Sequence, residues 1–214
     1  TDNIPAGINA IGYATSTNGI TWTKYANNPV IITGTTGSWD ARMILAPCVI
    51  SDAGLYKMWY TGMNDSGRWS IGYATSTNGI SWTKYDGNPV LVTGTVGSWD
   101  ASRILRPDVI LDGTTYRMWY TGQDTDGIRR IGYATSPDGV SWIKSASNPV
   151  LSEGEPSSWE ITVMHPDVLL EGNTYKMWYA GGYNTGLQDN QIGYASANAI
   201  PPVYLPIILK GYSP

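Results

Sequence analysis

The chain has 214 residues, a net charge of −4 and 14% charged residues, with no basic run longer than Arg129-Arg130. Nucleic-acid binding by counterion release therefore has no support, and no apolar stretch reaches the roughly 18 residues of a membrane helix. One cysteine, Cys48, and one histidine, His165, exclude an intrachain disulfide and any cysteine-ligated or multi-histidine metal site, so no cofactor is expected.

The remaining composition points to strands and turns. Ten Trp and 15 Tyr stand against no Phe, and 25 Gly and 13 Pro punctuate the chain too often for long helices. In chain order, Gly7-Ile8-Asn9 reads as the remnant of a strand. Ile11-Gly12-Tyr13-Ala14 follows and returns at Ile71, Ile131 and Ile192, a period of about sixty residues. This tetrapeptide marks the third strand of a four-stranded unit. The next segment, Ser16-Thr17-Asn18-Gly19, is echoed by Ser76-Thr77-Asn78-Gly79 and Ser136-Pro137-Asp138-Gly139; Asn-Gly and Asp-Gly supply the positive φ of tight hairpin turns. A short fourth strand carrying Trp22, Trp82 or Trp142 comes after the turn. Asn-Pro-Val then recurs at Asn28, Asn88 and Asn148, and Ser-Trp-acid at Ser38, Ser98 and Ser158.

The first strand of each unit, at 44–50, 104–111 and 164–170, is the most apolar and is expected to be the innermost. The second, at 56–61, 116–121 and 175–180, alternates Tyr, Met and Tyr on one face with Lys/Arg and Trp on the other, the period of two that a strand requires. The repeat domain covers residues 1–199, and a Pro-rich β-prone tail covers 200–214, suited to serve as a last strand in its own blade or a neighbour's. The fold class is all-β, a β-propeller of four-stranded blades. Only thirteen strands are recognisable, against the twenty of five such blades. The propeller is thus expected to be incomplete, or closed by fewer blades or another chain. A start at Thr1 without Met or signal peptide reads as a processed mature chain or a fragment.

Arg106-Pro107-Asp108-Val109-Ile110, then Asp112-Gly113 and Tyr116-Arg117-Met118-Trp119-Tyr120, resembles the five-bladed propeller glycosidases. These include glycoside hydrolase families 43 and 32 and the mannoside phosphorylases. His165-Pro166-Asp167-Val168 with Tyr175 onward repeats the pattern. The turn motif Ser-x-Asn/Asp-Gly-x-Ser/Thr-Trp resembles the Asp-box of sialidases, one residue shorter, where it is a folding device. The resemblance implies a funnel at the end where inner strands begin, with three acids from different blades: a base or nucleophile, a pKa-tuning Asp and a Glu acid. It places Asp108 at the pKa-tuning position and Asp167 at its equivalent one blade on. The first unit departs, with Cys48 in Ala46-Pro47-Cys48, and no inner strand begins with the Glu-Gly-Pro that carries the acid. Glu153, Glu155, Glu160 and Glu171 all read as turn residues.

Two constellations follow. Arg106 with Asp108, and His165 with Asp167, are i, i+2 pairs on a strand and are expected to share a face, as a sugar-binding or catalytic rim or as stabilising ion pairs. Trp39, Trp99 and Trp159 form either a sugar-stacking ring or packing between blades. Cys48 reads as a small core hydrophobe, and Asp124-Thr125-Asp126-Gly127 as a polar loop, since the closing Glu of a calcium loop is missing. The functional expectation is an extracellular or cell-surface carbohydrate-interacting module on a glycosidase-like scaffold, weakly active or non-catalytic. Its partner would be a poly- or oligosaccharide. A self-assembling extracellular structural protein, joined as a homo-oligomer through open blade edges and the tail, is the alternative, and an active glycoside hydrolase the third reading.

Overall fold

The computed structural model describes residues 9–182 and 191–199; the 200–214 tail and most of the N-terminal strand remnant lie outside them. The regular structure among these residues is antiparallel strand throughout. A hairpin of β1 (Ala14–Thr15) and β2 (Thr23–Lys24) precedes blade 1, which is β3 (Met43–Asp52), β4 (Leu55–Met63), β5 (Trp69–Ser76) and β6 (Thr83–Lys84). Blade 2 is β7 (Arg103–Asp112), β8 (Thr115–Gln123), β9 (Arg129–Ser136) and β10 (Ile143–Lys144). Blade 3 holds β11 (Thr162–Glu171), β12 (Thr174–Gly182) and β13 (Gln191–Asn198). Each blade is a meander in which neighbours in sequence pair in space. The first strands β3, β7 and β11 lie side by side, which makes them the inner ring of a propeller.

The repeated motifs each have a visible task. On the second strand, alternation splits the side chains between two blade interfaces. Met58 and Tyr60 pack with Ile11, Ile31 and Ile44 on one side, while Trp59 packs with Tyr116, Met118 and Val109 of blade 2 on the other. The Trp59 ring meets Tyr73, Tyr116 and Trp142, and its Nε1 donates to the Gly139 carbonyl at 2.7 Å. Trp119 repeats the contact against Tyr133 and Tyr175. The core is therefore a row of interfaces between blades.

The Ser-x-Asn/Asp-Gly turns close on themselves. Ser76 Oγ accepts from Gly79 N at 2.9 Å, and Asn78 Oδ1 accepts from Ile80 N and Ser81 N at 2.9 and 2.8 Å. Trp82 Nε1 then donates to the Gly79 carbonyl at 3.0 Å, so the tryptophan belongs to the turn and the fourth strand starts one residue later. In Asn-Pro-Val, the Asn88 amide accepts from Tyr73 N at 2.8 Å and donates to Tyr73 O at 2.9 Å. A side chain thereby continues the ladder that the two-residue fourth strand leaves short, and the Asn88-Pro89 bond is cis.

Candidate functional site

All three inner strands break their ladder at the same place. Pairing runs Leu105↔Thr121 and resumes at Asp108↔Trp119, with equivalent breaks between Leu45 and Cys48 and between Met164 and Asp167. Two residues face one partner, a β-bulge of the kind that re-aims side chains beside active sites. At the bulge, Ala46, Arg106 and His165 take φ of 51, 54 and 58°, a left-handed conformation that costs a non-glycine residue about 1–2 kcal/mol. Fully buried threonines of the preceding blade brace it: Thr61 Oγ1 accepts from Arg106 N at 2.8 Å, and Thr121 Oγ1 from His165 N at 2.9 Å.

The bulge corrects one expectation. It falls between residues i and i+2, so simple alternation no longer puts Arg106 with Asp108 or His165 with Asp167. Neither pair is among the ion pairs of the described residues.

Asp108 instead spans three inner strands. Its Oδ2 accepts from Val168 N on β11 at 2.6 Å, and its Oδ1 lies 3.7 Å from the Cys48 thiol on β3. Val109 N donates to Cys48 Sγ at 3.2 Å, so position 48 holds β7 as position 108 holds β11. Burial raises the Asp108 carboxyl to about 6; the Val168 amide opposes this and the charge of Asp167 adds to it. The same burial, with the Asp108 charge behind it, pushes the Cys48 thiol up to about 12. Asp167, at the equivalent position on β11, is exposed. Two carboxyls in mutual electrostatic reach, one of which titrates near neutrality, can hold and pass a proton, the basic requirement of glycoside chemistry. The bulge residues lie at the same end of the strands. His165 is held down to about 4 by burial and then by Arg106 and Arg129, so it is neutral at pH 7.

The other acids are engaged elsewhere. Asp40 and Asp100, the acids of Ser-Trp-acid, are buried against Lys84 and Lys144 at 2.6 Å. Glu153 pairs with Arg130, Glu160 accepts from the Tyr179 hydroxyl and Glu171 pairs with Lys176. Trp39 lies across Gly62 and Gly72, where any Cβ would come within 2.3 Å of its ring, and Trp99 lies likewise on Gly122 and Gly132. Trp159 stacks on Tyr179 with centroids 6.1 Å apart. These three indoles sit half-buried on glycine tracks of the following blade. In the Asp124 loop, Asp124 Oδ1 accepts from Asp126 N and Ile128 N at 3.0 and 2.9 Å, and its other oxygen meets Arg130, so its carboxylate closes its own turn. No cluster of metal-ligating side chains occurs among the described residues. Sequence reasoning missed the Cys48–Asp108–Val168 stitch, whose only sequence signal is that the Cys and Asp fall at the same point of the repeat.

No protein-family model matches the chain. It is 28% identical over 183 residues to an uncharacterized protein of Mycobacterium tuberculosis, covering 82% of this chain and 58% of that protein. In structure it is similar to a family 117 glycoside hydrolase of the marine bacterium Zobellia galactanivorans, with a TM-score of 0.68 and 19% identity over 86% of this chain and 51% of that one. A family 32 β-fructofuranosidase of Bombyx mori gives 0.63 and 18%, over 87% and 39%. A thermostable family 43 glycoside hydrolase gives 0.54 and 17%, over 72% and 47%. The chain thus spans about half the length of the proteins it matches. Two four-stranded blades between parts of two others, inner strand against inner strand, give this chain the β-propeller fold of the glycoside hydrolases.

Proposed function

We propose that the chain is an extracellular carbohydrate-interacting module, weakly catalytic or non-catalytic, whose sugar-contacting rim holds Asp108, Asp167, Arg106 and His165. Asp108 carries the reading. Its carboxyl is half-buried at the bulge end of the inner strands, with no ion-pair partner among the described residues and within electrostatic reach of Asp167. The weak-catalysis part rests on Glu153, Glu160 and Glu171, whose carboxylates are all held by other side chains. The extracellular part rests on composition: low charge with abundant Thr, Ser, Gly, Tyr and Trp.

Glycan-array binding tests it. Wild type is expected to bind at least one plant or microbial polysaccharide, with loss in Asp108→Asn and Asp167→Asn. Binding to none would overturn the proposal, and robust release of reducing sugar from arabinan, xylan or mannan would replace it with a glycoside hydrolase. A second reading, self-assembly through blade edges, is favoured by the apolar face of blade 3, where Leu169, Trp178, Ile192 and Tyr194 are 57, 38, 72 and 54% exposed. Size-exclusion chromatography decides it, because a discrete monomer of 23.2 kDa rejects assembly.

A further inference from the structure

The arginines are not spread evenly over the propeller. Of the seven, Arg42, Arg68, Arg103, Arg106, Arg129 and Arg130 all lie at the end where the inner strands begin, and only Arg117 does not. Arg130 is consumed there by Asp124 and Glu153. Asp65, another acid of this end, accepts from Gly37 N at 2.9 Å. Arg103, Arg106 and Arg129 take part in no ion pair among the described residues.

These three converge. Arg103 pairs across the sheet with Gln123, and Gln123 with Arg129, which sets the outer two about 10 Å apart at the usual strand spacing. Arg129 reaches on to blade 3, its guanidinium 3.2 Å from Met164 Sδ, next to the bulge at His165. Arg106 stands on the neighbouring bulge. Burial lowers the proton affinity of Arg129, and the charges of Arg103 and Arg106 lower it further. From blade 1, Trp69 brings a half-buried indole whose centroid is 5.6 Å from the Arg103 guanidinium.

The repeat makes the composition of this cluster informative. Met43 and Thr162 stand where blade 2 has Arg103, Ala46 where it has Arg106, and Trp69 of blade 1 where it has Arg129. The blades agree in the residues that pack and differ at this rim, where the substitutions bring in cations that have no ion-pair partner among the described residues, in a chain of net charge −4. Like charges brought together without a counter-ion lower stability unless an anion completes them. Guanidinium forks match carboxylate and sulfate geometry, and an indole offers a flat surface to the C–H face of a sugar ring. The neutral His165 adds a hydrogen-bonding edge suited to a hydroxyl.

We infer that this rim binds an acidic saccharide, with Arg103, Arg106 and Arg129 holding its anionic group and Trp69 stacking on its ring; the inference rests on the carbohydrate reading above. Calorimetric titration of the purified chain tests it, with a galacturonic-acid oligosaccharide, a sulfated and a neutral galactan oligosaccharide of matched length, and inorganic polyphosphate. Arg103→Met and Arg106→Ala copy residues that blade 1 already tolerates at these positions. Each is expected to weaken binding of the acidic sugars about tenfold and the neutral one much less. Trp69→Ala should weaken the sugars but not polyphosphate, and the stronger of the uronate and the sulfated ligand names the anionic group. Unchanged acidic-sugar binding in both arginine variants, with loss in Asp108→Asn, overturns the inference and leaves the carbohydrate reading standing. Failure to bind any saccharide removes both. Polyphosphate binding as tight as the acidic sugar, with no effect of Trp69→Ala, overturns the assignment to a sugar.

Discussion

Asp108→Asn separates a rim that holds the fold together from one that is kept for a ligand. Burial raises the Asp108 carboxyl from 3.8 to about 6, so folding increases its affinity for a proton. Between those values the folded chain binds a proton that the unfolded chain releases. The contribution of this group to stability is therefore full below pH 3.8 and falls as pH rises through about 6. At about 1.4 kcal/mol per pKa unit, ionised Asp108 costs the fold about 3 kcal/mol at pH 7.5. Asparagine resembles the protonated acid: its Oδ1 still accepts from Val168 N, and its amide faces the Cys48 sulfur. The variant should match wild type at pH 4 and exceed it by about 2–3 kcal/mol at pH 7.5. Urea unfolding followed by tryptophan fluorescence at both pH values measures this. Asp52, Asp112 and Glu153 are held below the usual carboxylate range by Lys57, Tyr175 and Arg130 respectively and slope the other way, but they cancel between the two proteins. A variant destabilised equally at both pH values would refute the argument and make Asp108 a structural brace.

Three further outcomes follow from the blade joints. Thr121→Val strips the acceptor from His165 N at the bulge and should cost about 1–3 kcal/mol in unfolding free energy, with Thr121→Ser restoring most of it. Gly62→Ala places a Cβ 2.3 Å from the Trp39 ring and should cost about 1–3 kcal/mol by overpacking; an unfolding midpoint equal to wild type would mean that the indole can move off its glycine track. Cys48, its thiol pushed up to about 12, should resist a disulfide reagent at pH 8 in the folded chain and react at once in urea.

The sixty-residue repeat made the fold legible, because Ile-Gly-Tyr-Ala, Met-Trp-Tyr and Asn-Gly fix third strands, second strands and turns through local alternation and turn chemistry. The thirteen expected strands are present. The Asn-Pro-Val motif was visible as a repeat but not as a ladder extension, since its partner Tyr73 lies 15 residues away. The bulge was not legible. Nothing in Arg106-Pro107-Asp108 announces a left-handed residue, and the period-two rule fails at the step where the candidate site begins. The convergence of Arg103, Arg106 and Arg129 also depends on pairing across three strands, so it was hidden in a sequence whose longest basic run is two residues.

The bulge gives a second view of what the rim is for. A left-handed bulge position is ordinarily filled by glycine, yet the three blades use Ala46, Arg106 and His165. Ala46 demonstrates that the fold itself asks for no functional group there. Arg106→Gly would relieve the left-handed strain, about 1–2 kcal/mol, and lose part of that to the freer unfolded chain. The net should be a gain of about 0.5–1 kcal/mol in unfolding free energy, accompanied by acidic-sugar binding about tenfold weaker. Asp108→Asn is expected to do the same by a different route, one variant removing strain and the other a buried charge. Two residues on either side of Pro107 whose replacement stabilises the chain, while every packing residue around them destabilises it on replacement, would mark the rim as the place where stability has been given up for recognition. If Arg106→Gly instead lowers stability, the arginine is part of the joint between blades 2 and 3, and the case for a ligand at this bulge falls with it.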